Sequence, residues 1–498
     1  NSNFALASGT VTANTNGQNF FSERGLISYM GRINYAYDNR YLVTATVRTD
    51  GASVLSPGNQ YFTYPAFSLG WNATNEKFMQ KVSFLSNLKL RGGWGKTSNQ
   101  GVSPYATLGL LTASTYNFGT STAGQQAAYL VTTLANNSLK WQSTSQWNVG
   151  VDFGLLKNRI TGAIDVYAQK TKDILLDFNL PQSNGASTTR KNLGRTSGSG
   201  LEINLSTINI QTKSGFTWST DLNFYFNREK IVQLQTPNIQ ADISNGWFVG
   251  QPLTVIYDLK KIGIWQTADS VKGTLAAQTT PVQYPGQIRI QDVNGDGKID
   301  AADRQILGNF QPKWEGGINN HFAYKGFDLS IMIFARMGMQ VVVPYVTDDG
   351  SAQGFPFFMQ GRNNQLKVNY WTRSNPTNGF PAPDAGTDKI VFWSTLGYTD
   401  GSFIKCRNIN FGYDIPTKLL SKAGVTSLHI YLNVTNPFII YAPFVRDGYG
   451  PDPEGNGYGG AVGTPAITGS VAQQSRQITV NANNPSVRQY ILGLNLKF

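Results

Sequence analysis

Apolar and polar residues alternate with period two along most of this chain, in segments of about ten residues separated by Gly, Asn, Asp and Pro. That period sends successive side chains to opposite faces of a strand, and the helical period is nearly absent, so the chain reads as all-β. From Ile27 to Tyr37 one face carries Ile27, Tyr29, Ile33, Tyr35 and Tyr37, and the other Ser28, Arg32 and Asn34. A tight turn at Asp38-Asn39-Arg40 leads into Tyr41, Val43, Ala45 and Val47 opposite Thr44, Thr46 and Arg48. A second hairpin sets Val149, Val151, Phe153 and Leu155 before the turn Lys157-Asn158-Arg159, with Ile160, Ile164 and Val166 after it.

The pattern returns at Leu201 to Leu205, Leu222 to Phe226 and Leu428 to Val434. It closes on Tyr490, Leu492, Leu494, Leu496 and Phe498. On the order of 14 such segments are present, with lengths near the 9 to 11 residues that carry a tilted strand across a bilayer. A water-soluble sheet would have to bury all of these apolar faces in one implausibly large core. A transmembrane antiparallel β-barrel instead turns them to lipid, turns Asn, Asp, Arg and Thr to a wet lumen, and leaves no open strand edge in hydrocarbon. The connections are of two kinds, as bacterial barrels require: turns of two to four residues, and long segments near residues 97–139, 173–200, 232–304, 345–399 and 444–486. The long ones carry Trp247, Phe248, Tyr345, Phe355, Phe357, Phe358, Trp371, Tyr449 and Tyr458, which favours folded extracellular loops that face substrate.

Composition removes other classes. The single Cys406 rules out an internal disulfide, and with only two histidines, His321 and His429, a Cys/His zinc site lacks ligands. No run approaches the roughly 20 apolar residues of a membrane helix. The 41 Lys and Arg against 29 Asp and Glu give a net charge of +12, but the basic residues are scattered singly, which reads as a solvated surface with no nucleic-acid partner. The chain has no nucleophile elbow, phosphate-binding glycine loop or His-Glu-x-x-His helix, and no catalytic residue is assigned. The start at Asn1, with no Met and no apolar leader, is expected of a mature protein or of a part of a longer one.

The sharpest local motif is the acidic stretch 292–303, Asp-Val-Asn-Gly-Asp-Gly-Lys-Ile-Asp-Ala-Ala-Asp. Calcium takes six to eight hard oxygens around a tightly wound loop. Asp292, Asn294 and Asp296 supply side-chain oxygens, Gly297 permits the turn, Lys298 offers its carbonyl, Asp300 acts directly or through water, and Asp303 closes the set. Ile299 is the expected apolar pin, and the Asp at the last position resembles a dockerin-type loop. The bound calcium is expected to be structural, and the other reading is an acidic turn that binds nothing.

An ordered set of motifs resembles the SusC/RagA-type TonB-dependent transporters. They are Gly31-Arg32-Ile33-Asn34-Tyr35, Arg48 to Ser53, Phe67 to Trp71, Leu88 to Asn99, Asp165-Val166-Tyr167 with Thr171 to Leu175, and Phe226 to Ile231. The acidic loop, Asp400 to Lys405, Asn433 to Phe438 and Asp452-Pro453-Glu454 complete the set, which covers nearly the whole chain. The resemblance implies an outer-membrane barrel of about 22 strands, filled by an N-terminal plug and driven through TonB. It implies a SusD-like surface lipoprotein as lid, outer-membrane lipid around the wall, and an assembly such as a dimer of heterodimers. Nutrients such as oligosaccharides or peptides would pass inward.

Residues 1–498 are then expected to be the C-terminal part of that barrel, lacking the plug, the TonB-contacting segment and about eight strands, with 232–304 a long external loop that holds the calcium motif. Trp247, Phe248, Tyr449 and Tyr458 are the candidate substrate contacts, by stacking. Alternatives within reach of the sequence are a passive porin, a siderophore-type receptor and a calcium-stiffened adhesin.

Overall fold

The computed structural model describes residues 22–117, 125–186, 188–243, 245–271, 283–343, 369–382, 393–420, 424–454, 457–458, 478–480 and 486–498. Thirteen strands form one antiparallel sheet with neighbours in chain order. They are β1 (Leu26–Tyr37), β2 (Tyr41–Ala52), β3 (Tyr61–Asn72), β4 (Leu85–Asn99), β5 (Gln142–Leu155), β6 (Ile160–Lys172) and β7 (Arg195–Gln211). The series continues with β8 (Thr217–Gln233), β9 (Trp314–Tyr324), β10 (Phe327–Met337), β11 (Phe403–Asp414), β12 (Ser427–Tyr441) and β13 (Gln489–Lys497). Among the described residues no helix is long and apolar enough to cross a membrane.

Several strands exceed the expected length, β7 and β8 reaching 17 residues each. At about 3.3 Å per residue and a tilt near 45°, such a strand rises roughly 40 Å, more than the ~30 Å hydrocarbon layer. Their ends therefore stand clear of the lipid and hand over directly to the connections.

The tight turns follow from local chemistry. Asp38 and Asn39 both take positive φ (52° and 50°), and the Arg40 amide donates to the Tyr37 carbonyl at 2.9 Å. Lys325 and Gly326 do the same between β9 and β10 (48° and 88°). Two left-handed residues make a hairpin turn whose twist matches that of its strands. Aromatic pairs flank these turns: Tyr37 on Tyr41, Phe216 on Tyr324, Trp218 on Phe322 at 5.7 Å, and Phe327 on Tyr413 at 4.4 Å. That is the girdle expected where a barrel wall meets the membrane interface.

The chain divides into two compact units. The first (residues 1–69, 93–147 and 169–195) has a small core of Ala52, Val54, Leu55, Val102, Leu139 and Trp141. The hairpin Leu110–Asn117 with Gln125–Leu134, the latter running parallel to Thr188–Asn192, gives structure to two connections that the sequence presents as loops. In the second unit (70–92, 148–168 and 196–498) the long connections gather a larger core around Ile264, Ile288, Ile290, Val341, Trp371, Leu396, Phe444 and Val480. Within it Val255–Asp258 pairs with Gln305–Asn309, Lys261–Ile264 with Ile288–Ile290, and Gln340–Val342 with Tyr398–Asp400.

Candidate functional site

Polar side chains on the strands are organised as ion networks. Arg91 on β4 reaches both carboxylate oxygens of Asp165 on β6 at 2.5 Å and Asp152 on β5 at 3.0 Å. The partners approach because Gly150 carries no side chain: a Cβ there would stand 2.5 Å from Asp165 and 2.8 Å from the guanidinium. Arg48 and Tyr64 both bind the buried Asp50. His429 lies on the polar face of β12, as its strand parity predicts, with Nδ1 2.9 Å from Asp414 Oδ1.

The most deeply buried network joins a strand to a long connection. Lys405 on β11 is 1% exposed, and its ammonium is 3.0 Å from Asp452 and also paired to Glu454, which Arg407 holds at 2.5 Å. The Arg407 guanidinium stacks over Phe334 at 3.6 Å. Two stretches that the sequence offers only as separate motifs, Asp400 to Lys405 and Asp452-Pro453-Glu454, therefore touch. A buried cation with two carboxylates is stable only while all three are present.

A cavity of about 350 Å³ opens among the folded connections, bordered by residues of the strands Lys261–Ile264, Gln305–Asn309, Gln340–Val342 and Tyr398–Asp400. Leu259, Lys260, Lys261, Gln305, Ile306, Leu307, Gln340, Thr395, Leu396, Tyr398 and Tyr449 line it. Lys261 Nζ donates to the Gly379 carbonyl, and burial draws its pKa down to about 8. Tyr449 packs between Phe444 (5.8 Å) and Phe380 (6.2 Å), and the same burial, with Asp447 nearby, raises its phenol above the ordinary value.

Of the aromatic residues singled out in the sequence whose side chains are described, Trp247, Phe248 and Tyr449, the last lines this cavity. Trp247 is buried in the short hairpin with Asp242, Phe248 packs on Tyr257 at 4.8 Å, and the Tyr458 side chain lies outside the described residues, as do Tyr345, Phe355, Phe357 and Phe358. The lysines, Gln340 and Tyr398 were not legible as a site. No periodic or spaced motif connects positions 261, 340 and 398, which only the folding of three connections brings together.

The acidic loop is closed by its own backbone. Asp292 accepts from the amides of Gly295 (2.6 Å) and Gly297 (2.9 Å), Asn294 from Asp296, and Asp296 from Lys298 (2.8 Å). Asp303, fully buried, accepts from Val293 and Asp300, while Asp300 caps the turn Ala301–Asp303 through the Ala302 amide. Gly297 sits at φ 78°, as a sharp turn demands, and Ile299 is buried in the larger core as the pin. The oxygen donors suit calcium in kind. They do not yet converge: among the described residues no three His, Cys, Asp or Glu side chains form a ready-made metal site.

A single antiparallel sheet of long strands, aromatic girdles at tight turns and large folded connections define an outer-membrane β-barrel receptor. The comparisons agree. Residues 2–320 match the TonB dependent receptor-like β-barrel family, and the chain belongs to it. TonB-dependent receptor P3 of Formosa agariphila is 30% identical over 99% of this chain and 47% of its own length. The TonB-dependent receptor SusC of Bacteroides thetaiotaomicron is 30% identical over 83% of this chain and 40% of its own. The fold matches the structure of the RagAB peptide importer in its open-open state with a TM-score of 0.72, at 20% identity, over 95% of this chain and 47% of that one. The chain thus spans about half the length of the curated relatives it matches. It is a multi-pass barrel protein of the bacterial outer membrane, in a family of receptors and not of enzymes.

Proposed function

We propose that this chain forms wall and extracellular loops of a TonB-driven nutrient importer working beneath a SusD-like surface lipoprotein, with an oligosaccharide or peptide as cargo. The observation that carries the reading is the folded connection core: long segments that a passive pore could leave thin here enclose a lined cavity beside Tyr449. Family membership supports TonB coupling, and the likeness to SusC and to the RagAB peptide importer supports nutrient uptake. Aromatic and amide side chains of the connections, Phe248 and Tyr449 among them, would hold cargo by stacking and hydrogen bonding while the lid closes.

The test is uptake of labelled oligosaccharides and peptides by cells expressing the full-length protein, with and without TonB, together with gentle extraction to look for a bound lipoprotein. TonB-dependent uptake and a co-purified lipoprotein support the reading; uptake unchanged without TonB, with constitutive ion conductance, replaces it by a passive channel. We also propose that the loop 292–303 takes a structural calcium ion through Asp292, Asn294, Asp296, the Lys298 carbonyl, Asp300 and Asp303, on the strength of four carboxylates packed into twelve residues.

A further inference from the structure

We propose that the cavity bordered by Lys260, Lys261, Gln340, Tyr398 and Tyr449 binds the carboxylate of an acidic cargo, an inference that rests on the importer reading and names its substrate class. Its lining has two lysines and, among the described lining residues, no Asp or Glu. Two acids lie behind that lining: Asp258, 1% exposed, accepts from the Leu259 amide at 2.8 Å and from the Tyr398 hydroxyl at 2.9 Å, and Asp447, beside Tyr449, is paired with Arg446 at 2.7 Å. The side chains that line the cavity thus bring positive charge and no carboxylate, a lining that suits an anion.

The lysine is also held in place. Its bond to the Gly379 carbonyl uses one of three ammonium donors, and among the described residues no hydrogen bond takes the other two. Fixing a charged group before the ligand arrives removes part of the ordering cost of binding. Beside it, the Gln340 amide lies over Gly308, where a Cβ would come within 2.9 Å of its amide atoms, so Gly308 makes room for this placement. The Gln340 carbonyl oxygen is buried with no hydrogen-bond partner among the described residues. A sugar acid and an acidic amino-acid residue both carry a carboxylate. The volume is at the low end for ligand pockets, enough for one ring or one residue of a longer chain. Tyr449, wedged between two phenylalanines, provides a rigid aromatic wall.

The experiment is titration calorimetry on the full-length protein in detergent at pH 7 with two matched pairs of probes: tri-galacturonate against its methyl ester, and a triglutamate peptide against triglutamine. The expected result is that one acidic probe binds at least about tenfold tighter than its neutral partner, and which pair shows the preference identifies the source of the carboxylate. Lys261→Met should remove the preference and Lys261→Arg retain it. Lys260→Glu, at an exposed position that leaves the fold intact, should weaken it. No preference in either pair, or a preference that survives both Lys261→Met and Lys260→Glu, overturns the proposal. Uptake with and without TonB, read on any nutrient the cells take in, is independent of these titrations. Its TonB dependence with no acid preference fells this site alone, whereas TonB-independent uptake fells the importer reading whatever the titrations give.

Discussion

The strands and the long connections use apolar residues in opposite ways. On the interior strands β2, β3 and β6, Val47, Leu69 and Val166 are 50%, 52% and 55% exposed, whereas in the connections Ile288, Val341 and Phe444 are completely buried. Both regions carry large apolar residues, so hydrophobicity alone does not decide burial. In the sheet they recur at every second position and face outward, which suits lipid; in the connections they come from positions as far apart as 264 and 480 and make a core against water. The strands are held by backbone pairing, and the connections by packing.

The largest effect is expected where the two regions are tied together. Lys405→Met removes the cation from β11 and leaves the buried Asp452 without its partner, while Arg407 still holds Glu454, and the uncompensated carboxylate should cost about 3–5 kcal/mol. Loss of the heat-modifiable folded band at lower temperature on electrophoresis measures it. If replacing all three by neutral residues of like volume restores stability, the network is a fastening and not a source of net energy.

A smaller pair of changes sharpens the contrast. Ile288→Ala in the connection core should cost about 2–4 kcal/mol, because it leaves a cavity among fixed neighbours. Leu492→Ala, which trades contact with lipid and not with a packed core, should cost less than about 1 kcal/mol. Equal losses in denaturant unfolding would mean that β13 is packed against protein and that its apolar face is not the lipid face.

The same contrast explains what could be read in advance. Alternation in Ile27 to Val47 reveals two strands and their turn because a strand repeats locally, and the register Tyr35 with Val43 follows from the three-residue turn Asp38-Asn39-Arg40. Asp292 to Asp303 was equally legible, its Asx and glycine spacing being a local pattern. The cavity was not: Lys261, Gln340 and Tyr398 are neighbours only through strand pairings between distant segments, and none of the three stands out from the residues beside it. Trp247 shows the limit from the other side, since an aromatic residue in a long connection reads as a ligand contact until its burial is known.

Calcium bears on the connections alone. If the loop 292–303 binds with the affinity of extracellular modules, millimolar calcium should stabilise the protein by about 1 kcal/mol, with Asp292→Asn and Asp303→Asn abolishing the gain. A melting temperature unmoved by calcium, measured against magnesium, would leave the loop as a turn closed by its own amides and pinned by Ile299.

The smallest effect is one of pH, and it runs in two directions at once. Lys261, depressed to about 8 by burial from its ordinary 10.5, sheds its proton in the folded state well before the unfolded chain does. Between pH 8 and 10.5 the unfolded state holds more protons, so this group makes stability rise with pH; at neutral pH its charge is a burden on the fold. Binding of an acidic probe should move the other way, weakening as pH climbs through 8 and the ammonium is lost. Lys260, Tyr398, Tyr449 and Asp258 are titratable neighbours, so the comparison is made against Lys261→Met, which should lose both slopes. Tyr449, raised by its own burial, pulls the other way at the top of the window, where the unfolded phenol loses its proton before the folded one, and the Lys261→Met comparison leaves that contribution in place. Opposed slopes in the parent, both absent in the variant, would mark a lysine kept at a cost to stability for the ligand it meets; parallel slopes would mark one that only packs.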